Sequence, residues 1–264
     1  MITIDNVTKR YYSLVAVDHV SFSVPRGQII GILGPNGAGK TTLFKLIAGF
    51  LNADSGEIRP TDSYWPPIGY KPERLLFPNQ MSVAEYLNVI ARIGNMRGDS
   101  VKASVQEALA QVKLADASSK RIGQCSKGMR QRLALAQSLI GAPPLLLLDE
   151  PSNGLDPEGQ SDIRRLIKQI GARGQTVMMS SHHLEEVTQT CDHLIILKQG
   201  RVHYRGAMAE ALSLRPHVTI QVDRDLQAAA PLLLSMHKDV AIAERDVILA
   251  NEAIQLRRHI LSLL

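Results

Sequence analysis

The segment Gly34-Pro35-Asn36-Gly37-Ala38-Gly39-Lys40-Thr41-Thr42 has the residue types and spacing that grip a phosphate chain. Glycines let the backbone fold tightly enough for successive N–H groups to point at one anion. A helix expected to begin near Lys40 adds the positive end of its dipole. Lys40 has the reach for β- and γ-phosphates, and the Thr41 hydroxyl is suited to Mg2+. Asn36, Gly37, Gly39 and Thr42 complete the expected cradle. The short pattern G-x-x-x-x-G-K-[ST] also arises by chance, but here its flanks agree with function. An apolar run over 28–33 precedes it, and a helical pattern over 40–48 follows, with Gly49 placed to cap it. The implied ligand is a nucleoside triphosphate.

A second group supplies what that loop lacks. Leu145-Leu146-Leu147-Leu148 reads as a strand buried on both faces, and Asp149-Glu150 follows it directly. Ligands bind beyond the carboxyl ends of such parallel strands. Asp149 can hold Mg2+ there, directly or through water, and Glu150 can act as general base on an attacking water.

The elements that must position these groups are legible in outline. Residues 1–24 alternate in the period-two manner of half-buried antiparallel strands, with Tyr11 and Tyr12 expected on the loop between them. Ser82-Val83-Ala84-Glu85 is a capping box opening a helix to about residue 93. Further helices are expected over about 100–112 and 126–140. Asp156-Pro157 reads as an N-cap with proline at the first helical position. Strands over 176–180 and 193–197 alternate with helices, and Gln199-Gly200 reads as a hairpin turn. The expected fold is therefore α/β with a mainly parallel sheet. From about His217 the pattern changes to short strands and apolar helices, including one over 254–264.

Composition narrows the class. An apolar content of 45% supports an ordinary globular core, and 4% aromatics disfavours a nucleic-acid surface built on stacking. No apolar run approaches the roughly 18–20 residues of a membrane span, and the start lacks the marks of a signal peptide. Cys125 and Cys191 form no CxxC motif, so neither zinc nor a disulfide framework is indicated. These features give the expectation of a soluble, intracellular protein. The net charge of +5 is spread in pairs such as Lys120-Arg121 and Arg164-Arg165, the pattern of solvated helix faces, so no nucleic-acid partner is expected.

Over about residues 1–210 the chain resembles the ATP-binding subunits of ABC transporters, with several motifs in the family's order. Cys125-Ser126-Lys127-Gly128-Met129-Arg130-Gln131-Arg132 is similar to the family signature. Ser126 and Gly128 lie at a helix start suited to an anion. The resemblance implies that both face the γ-phosphate held by a second copy, and that Asp156 lies at the contact between copies. It makes Glu150 the catalytic glutamate, Lys40 its phosphate-binding partner, and His182 of Ser180-Ser181-His182 a γ-phosphate sensor. Residues His182-His183 also resemble a metal-site fragment, but no third ligand is spaced to complete one. Tyr11, with Tyr12 as its rival, takes the place of an adenine-stacking aromatic.

Three departures from the family pattern stand out. Glu73 occupies the usual place of a lid glutamine, where it could bind Mg2+ beside Thr41 and Asp149. Lys127 and Met129 replace a glycine and a glutamine of the signature. The short segment between Gly56 and Ile68 implies a trimmed β-subdomain. The Ser-Lys-Gly-Met-Arg-Gln-Arg form and the Pro-Glu lid are similar to a branch serving multisubunit exporters, including gliding-motility, sodium-efflux and copper-enzyme-maturation systems.

The implied architecture is a P-loop ATPase core over residues 1–215. It carries an N-terminal antiparallel β-subdomain and a helical insertion over about 74–140; a small α+β extension follows over 216–264. The implied activity is ATP hydrolysis with ATP and Mg2+, in a head-to-tail pair of copies coupled to separate transmembrane permease subunits. Such a chain would lie in the cytoplasm against the inner face of the membrane. The alternative class is a soluble ABC-type ATPase that clamps nucleic acid or the ribosome, which usually has two cassettes and a concentrated basic surface. A GTPase is disfavoured by the lack of an Asn-Lys-x-Asp motif.

Overall fold

The computed structural model describes residues 1–213, 217–222, 226, 229–243, 245–250, 255–256 and 260. The chain divides into two compact units, Met1–Met208 and Ala209–Leu264.

The first unit opens with β1 (Ile2–Tyr11) and β2 (Leu14–Val24), an antiparallel pair in which Ile4 faces Phe22 and Val7 faces Val20. The turn between them is shorter than the alternation suggested. Tyr11 pairs with Leu14 as the last rung of the ladder, and Tyr12, at φ 54°, forms the turn and is fully exposed. A third strand, β4 (Ser55–Pro60), joins β1 on its other edge. Sequence reading did not identify it, because most of its residues are exposed and none is fully buried. The order β2-β1-β4 is the whole of this small sheet, as the short 56–68 segment implied.

The main sheet holds six strands in the order β5-β6-β7-β3-β8-β9. These are β3 (Ile29–Leu33), β5 (Ile68–Lys71), β6 (Leu145–Leu148), β7 (Thr176–Ser181), β8 (His193–Lys198) and β9 (Arg201–Ala207). All neighbours run parallel except β8 and β9, which close a hairpin through Gln199 and Gly200, both at positive φ. Every side chain of β6 is buried, as expected of a strand covered on both faces. Because β3, β5, β6 and β7 are parallel, the segments that follow them emerge at one edge. These segments are the phosphate loop, the Glu73 loop, Asp149-Glu150 and His182. That arrangement builds the site.

Six helices support this edge. Helix α1 (Lys40–Ile47) follows β3 and buries Leu43, Phe44 and Ile47 in the core shared by β1, β2 and β3. Helices α2 (Val83–Ile93), α3 (Asp99–Gln111) and α4 (Lys127–Leu139) pack on one another as the expected insertion. The Ser82–Glu85 capping box is formed in both directions, at 3.2 and 2.7 Å. Helix α5 (Pro157–Ala172) buries Ile163, Leu166, Ile167 and Ile170, the spacing of a single helical face. Helix α6 (Leu184–Thr190) returns the chain from β7 to β8.

In the second unit, α7 (Met208–Ser213) begins at the boundary. Strands β10 (His217–Gln221), β12 (Asp246–Ala250) and β11 (Val240–Ala243) form an antiparallel sheet in that order. Helix α8 (Ala230–Met236) contributes Leu233 to a core with Val240, Val247 and Leu249. The helix expected over 254–264 falls outside the described residues save for 255–256 and 260. Among the described residues no helix is long and apolar enough to cross a membrane.

Gly69 shows how tightly β5 is seated. A Cβ there would overlap the Ser138 carbonyl oxygen of α4 and press on Leu146 of β6. Gly69→Ala is therefore expected to destabilise the protein by about 3 kcal/mol, the upper range for overpacking. Urea denaturation followed by circular dichroism would measure it, and a loss under ~1 kcal/mol would show that β5 can yield.

Candidate functional site

The phosphate loop adopts the backbone its glycines permit. Gly39 sits at φ 102° immediately before α1, and a Cβ there would overlap the Ala16 carbonyl oxygen. No other residue type fits both demands. Lys40 opens the helix with its side chain buried. Its ammonium donates to the carbonyls of Gly34 at 2.6 Å and Pro35 at 3.2 Å, and lies 3.2 Å from Glu150 Oε1. A cavity of about 350 Å3 opens above the loop. Asn36, Gly37, Gly39, Lys40, Thr41 and Thr42 form its floor, while Tyr11, Glu73 and Glu150 stand around it. Tyr11, half-exposed at the end of β1, borders this space; Tyr12 does not.

The carboxylates beyond β6 are held from several sides. Asp149 is fully buried, and its Oδ1 accepts the Ser180 hydroxyl at 2.6 Å. The same hydroxyl accepts the Glu150 N–H at 2.9 Å, so one serine ties both acidic residues to β7. Asp149 Oδ2 is buried and has no hydrogen-bond partner. Glu150 has φ 47°, a left-handed conformation that side chains other than glycine rarely take. Its Oε2 lies 2.9 Å from His182 Nδ1. A carboxylate only accepts, so this bond places the proton on Nδ1 and leaves Nε2 facing elsewhere. Oε1 has the Lys40 ion pair but no hydrogen bond directed at it. Glu150 thus joins the loop lysine to the histidine beyond β7.

Two further buried charges surround this group. Lys71, at the end of β5, is 1% exposed and donates to the carbonyls of Asp149 at 3.0 Å and Glu150 at 3.1 Å. Burial pulls its ammonium down to about 8, against the pull of Asp149, Glu150, Glu73 and Glu186 toward the charged form. Glu186, in the first turn of α6, accepts the Ser181 hydroxyl at 2.5 Å. Burial likewise pushes the Tyr70 phenol up, with Asp149 and Glu73 adding to the shift. Sequence reading passed over Lys71 and assigned no role to the Ser180 side chain. The available signals were a lysine ending an apolar strand and a hydroxyl ending a buried one.

Five expected residues do not line this cavity: Asp149 and His182, which adjoin Glu150 at its rim, and Ser126, Gly128 and Asp156. Ser126 caps α4 by accepting the Met129 N–H at 3.2 Å, and Gly128 follows in its first turn with open space around its Cα. Asp156 caps α5 by accepting the Gly159 N–H at 2.9 Å. Each therefore has a local capping or helical role within its own chain. Between the Glu73 loop and α4 lies a second cavity of about 310 Å3, bordered by Arg74, Lys127, Arg130 and Asn153.

A hard dication suits the oxygen donors beside the phosphate loop. A buried carboxylate oxygen of Asp149 lacks a partner, and the Thr41 hydroxyl and Glu73 carboxylate belong to residues bordering the cavity. Among the described residues no three His, Cys, Asp or Glu side chains group as a metal cage.

A glycine loop leading into a helix, with buried carboxylates on the neighbouring strands of a parallel sheet, defines a P-loop nucleotide-binding protein. Residues 17–153 match the family model described as ABC transporter. The chain is 36% identical over 213 residues to the uncharacterized ABC transporter ATP-binding protein YxlF of Bacillus subtilis (strain 168), covering 80% of this chain and 72% of that one. It is 34% identical over 224 residues to the Nod factor export ATP-binding protein I of Burkholderia orbicola (strain AU 1054), covering 82% and 71%. Among solved structures, cbiO1 from Clostridium perfringens, part of the ABC transporter complex cbiONQ, superposes with TM-score 0.70 at 28% identity, covering 81% and 90%. The dimeric bacterial ABC transporter cassette MJ0796 gives TM-score 0.70 at 25% identity, covering 79% and 99%. The chain belongs to the ABC transporter family, as an ATP-binding subunit. The family hydrolyses ATP.

Ser180→Ala would leave a buried Asp149 oxygen and the Glu150 N–H unpaired. The expected cost is roughly 1–3 kcal/mol of stability together with reduced ATP turnover. Denaturant melts and a phosphate-release assay on the same preparation would check both, and an unchanged melt would show that water replaces the hydroxyl.

Proposed function

We propose that this chain is the ATP-hydrolysing subunit of an exporter whose membrane subunits are separate chains, and that two copies work head to tail. The observation that carries the hydrolytic part is the position of Glu150. Its carboxylate lies between the Lys40 ammonium and His182 Nδ1, at the rim of the cavity above the phosphate loop.

In this reading the loop N–H groups and Lys40 hold the β- and γ-phosphates, with Lys40 giving up the Gly34 and Pro35 carbonyls in exchange. Thr42 and Asn36 complete the cradle, and Tyr11 stacks on the adenine. Thr41, Asp149 and Glu73 would hold Mg2+, which when bound neutralises charge on the phosphate oxygens. Glu150 takes the proton of the attacking water. His182 orients Glu150 through Nδ1–H and turns Nε2 toward the γ-phosphate. Ser126 and Gly128 of a second copy close over the same phosphates from the start of α4, whose N-terminal dipole favours the anion. Asp156 lies at the contact between copies. The dimeric cassette among the structural relatives supports this assembly.

Several observations support the membrane partner. Relatives include ATP-binding proteins named for Nod factor export and for daunorubicin resistance. Leu76, Val89 and Ile93 are exposed on the helical insertion, beside the Glu73 loop in sequence. That surface would receive the permease and transmit closure to it, holding the chain at the cytoplasmic face of the membrane.

Glu150→Gln is expected to lower ATP turnover at least about 100-fold while leaving ATP binding intact, and to accumulate ATP-bound dimers on size-exclusion chromatography. Wild-type turnover in this variant would remove Glu150 as the base. Purification of the tagged chain from detergent-solubilised membranes should recover a polytopic membrane protein in stoichiometric amount. Recovery with nucleic acid or ribosomal proteins alone would sink the exporter reading.

A further inference from the structure

We infer that Lys71 is a positioning residue for hydrolysis, whose buried ammonium locks the left-handed backbone turn that aims the Glu150 carboxylate. The inference rests on the reading of Glu150 as general base.

Successive carbonyls along a strand point to opposite sides. At the end of β6 that rule is broken. Glu150 turns to φ 47°, and the carbonyls of Asp149 and Glu150 converge on one atom, Lys71 Nζ, at 3.0 and 3.1 Å. Two carbonyl oxygens brought together repel each other, and the left-handed turn at a non-glycine residue adds its own cost, of order 1–3 kcal/mol. A cation between them offsets both.

Lys71 grips this turn at more than one point. Its own carbonyl accepts the Asp149 N–H at 2.9 Å, so one residue of β5 bonds to the N–H and carbonyl of Asp149 and to the carbonyl of Glu150. The Glu150 carbonyl also accepts the Asn153 N–H at 3.3 Å, which extends the clasp to the loop before Asp156. The burial itself is informative. A lysine 1% exposed is costly, and β5 ends where an apolar side chain would pack without that cost. What the ammonium supplies is directional hydrogen bonding to two carbonyls, which an apolar side chain lacks.

On the opposite side, the Glu150 carboxylate meets Lys40 and His182. Backbone and side chain of one residue are thus held by two different lysines. Lys71 does not line the cavity, and its effect on the reaction passes through Glu150.

The test is a double-mutant cycle on the full chain, pairing Lys71→Met with Glu150→Gln. Turnover and KM for MgATP would be measured alongside binding of a fluorescent ATP analogue. Lys71→Met is expected to lower kcat about tenfold or more, with KM and analogue affinity within about threefold of wild type. In the Glu150→Gln background, single-turnover hydrolysis should change less than about twofold on adding Lys71→Met, because the residue it positions is already disabled. Lys71→Arg, which keeps charge and donors, should retain at least about a third of kcat. Should Lys71→Met not fold by circular dichroism, Lys71→Gln takes its place in the same cycle. Equal losses in both backgrounds, or lost nucleotide binding, would reduce Lys71 to a general structural part and overturn the inference. An inactive Glu150→Gln beside a fully active Lys71→Met would overturn this inference alone. Wild-type turnover in Glu150→Gln would remove the base assignment and this inference with it.

Discussion

Three carboxylates and two ammonium groups are buried at one edge of an apolar parallel sheet, and the architecture around them is constrained by that fact. Asp149, Glu150, Glu186, Lys40 and Lys71 are each at least nine-tenths buried. An isolated charge in such surroundings would be untenable, so each must have a partner placed to within a few tenths of an ångström. Lys40 reaches Glu150 from α1, Lys71 reaches the backbone beyond β6 from β5, and the serines of β7 serve Asp149 and Glu186. The strand order β5-β6-β7-β3 is what brings these four sources side by side.

The same constraint gives the site its chemical character. Polar groups fixed in advance inside a low-dielectric region act on a charged substrate without having to reorganise first. Glu150 illustrates this, since its N–H, its carbonyl and both carboxylate oxygens all face polar groups of other residues. A carboxylate so held keeps one orientation whatever the solvent does. The apolar strand beneath it contributes by excluding alternatives: all four leucines of β6 are fully buried, so the chain cannot slip by one residue without burying a carboxylate among hydrocarbon.

Much of this was legible in the sequence because the candidate phosphate-binding groups lie in consecutive residues. The loop over 34–42, the Asp149-Glu150 pair, the Ser82 and Asp156 caps and the buried strands each carry a local signal. Features missed by sequence reading depend on neighbours distant in the chain. Strand β4 has exposed, polar residues and is a strand only because β1 offers it an edge. Ser180 matters because β7 lies beside β6, a relation no local pattern encodes. Tyr12 is a close rival of Tyr11 in the sequence, and the two-residue turn separates them, ending β1 at Tyr11 and turning Tyr12 to solvent.

Lys71 and Glu73 are best understood together. On the family resemblance Glu73 takes the place of a neutral lid glutamine, and it puts a carboxylate at the border of the cavity above the glycine loop. Two residues earlier, the chain ends an otherwise ordinary buried strand with a lysine that points back beneath the carboxylates. Burial works against the charge on Lys71, and Asp149, Glu150, Glu73 and Glu186 all favour it. Glu73 is exposed, so solvent screens its share, whereas Asp149 and Glu150 act on Lys71 from within the buried edge. The two residues approach the carboxylates from different sides. Lys71 holds the backbone of Asp149 and Glu150 from within the sheet, and Glu73 borders the cavity from the exposed loop that follows β5. The buried charge and the exposed one are thus separated by only two residues of chain.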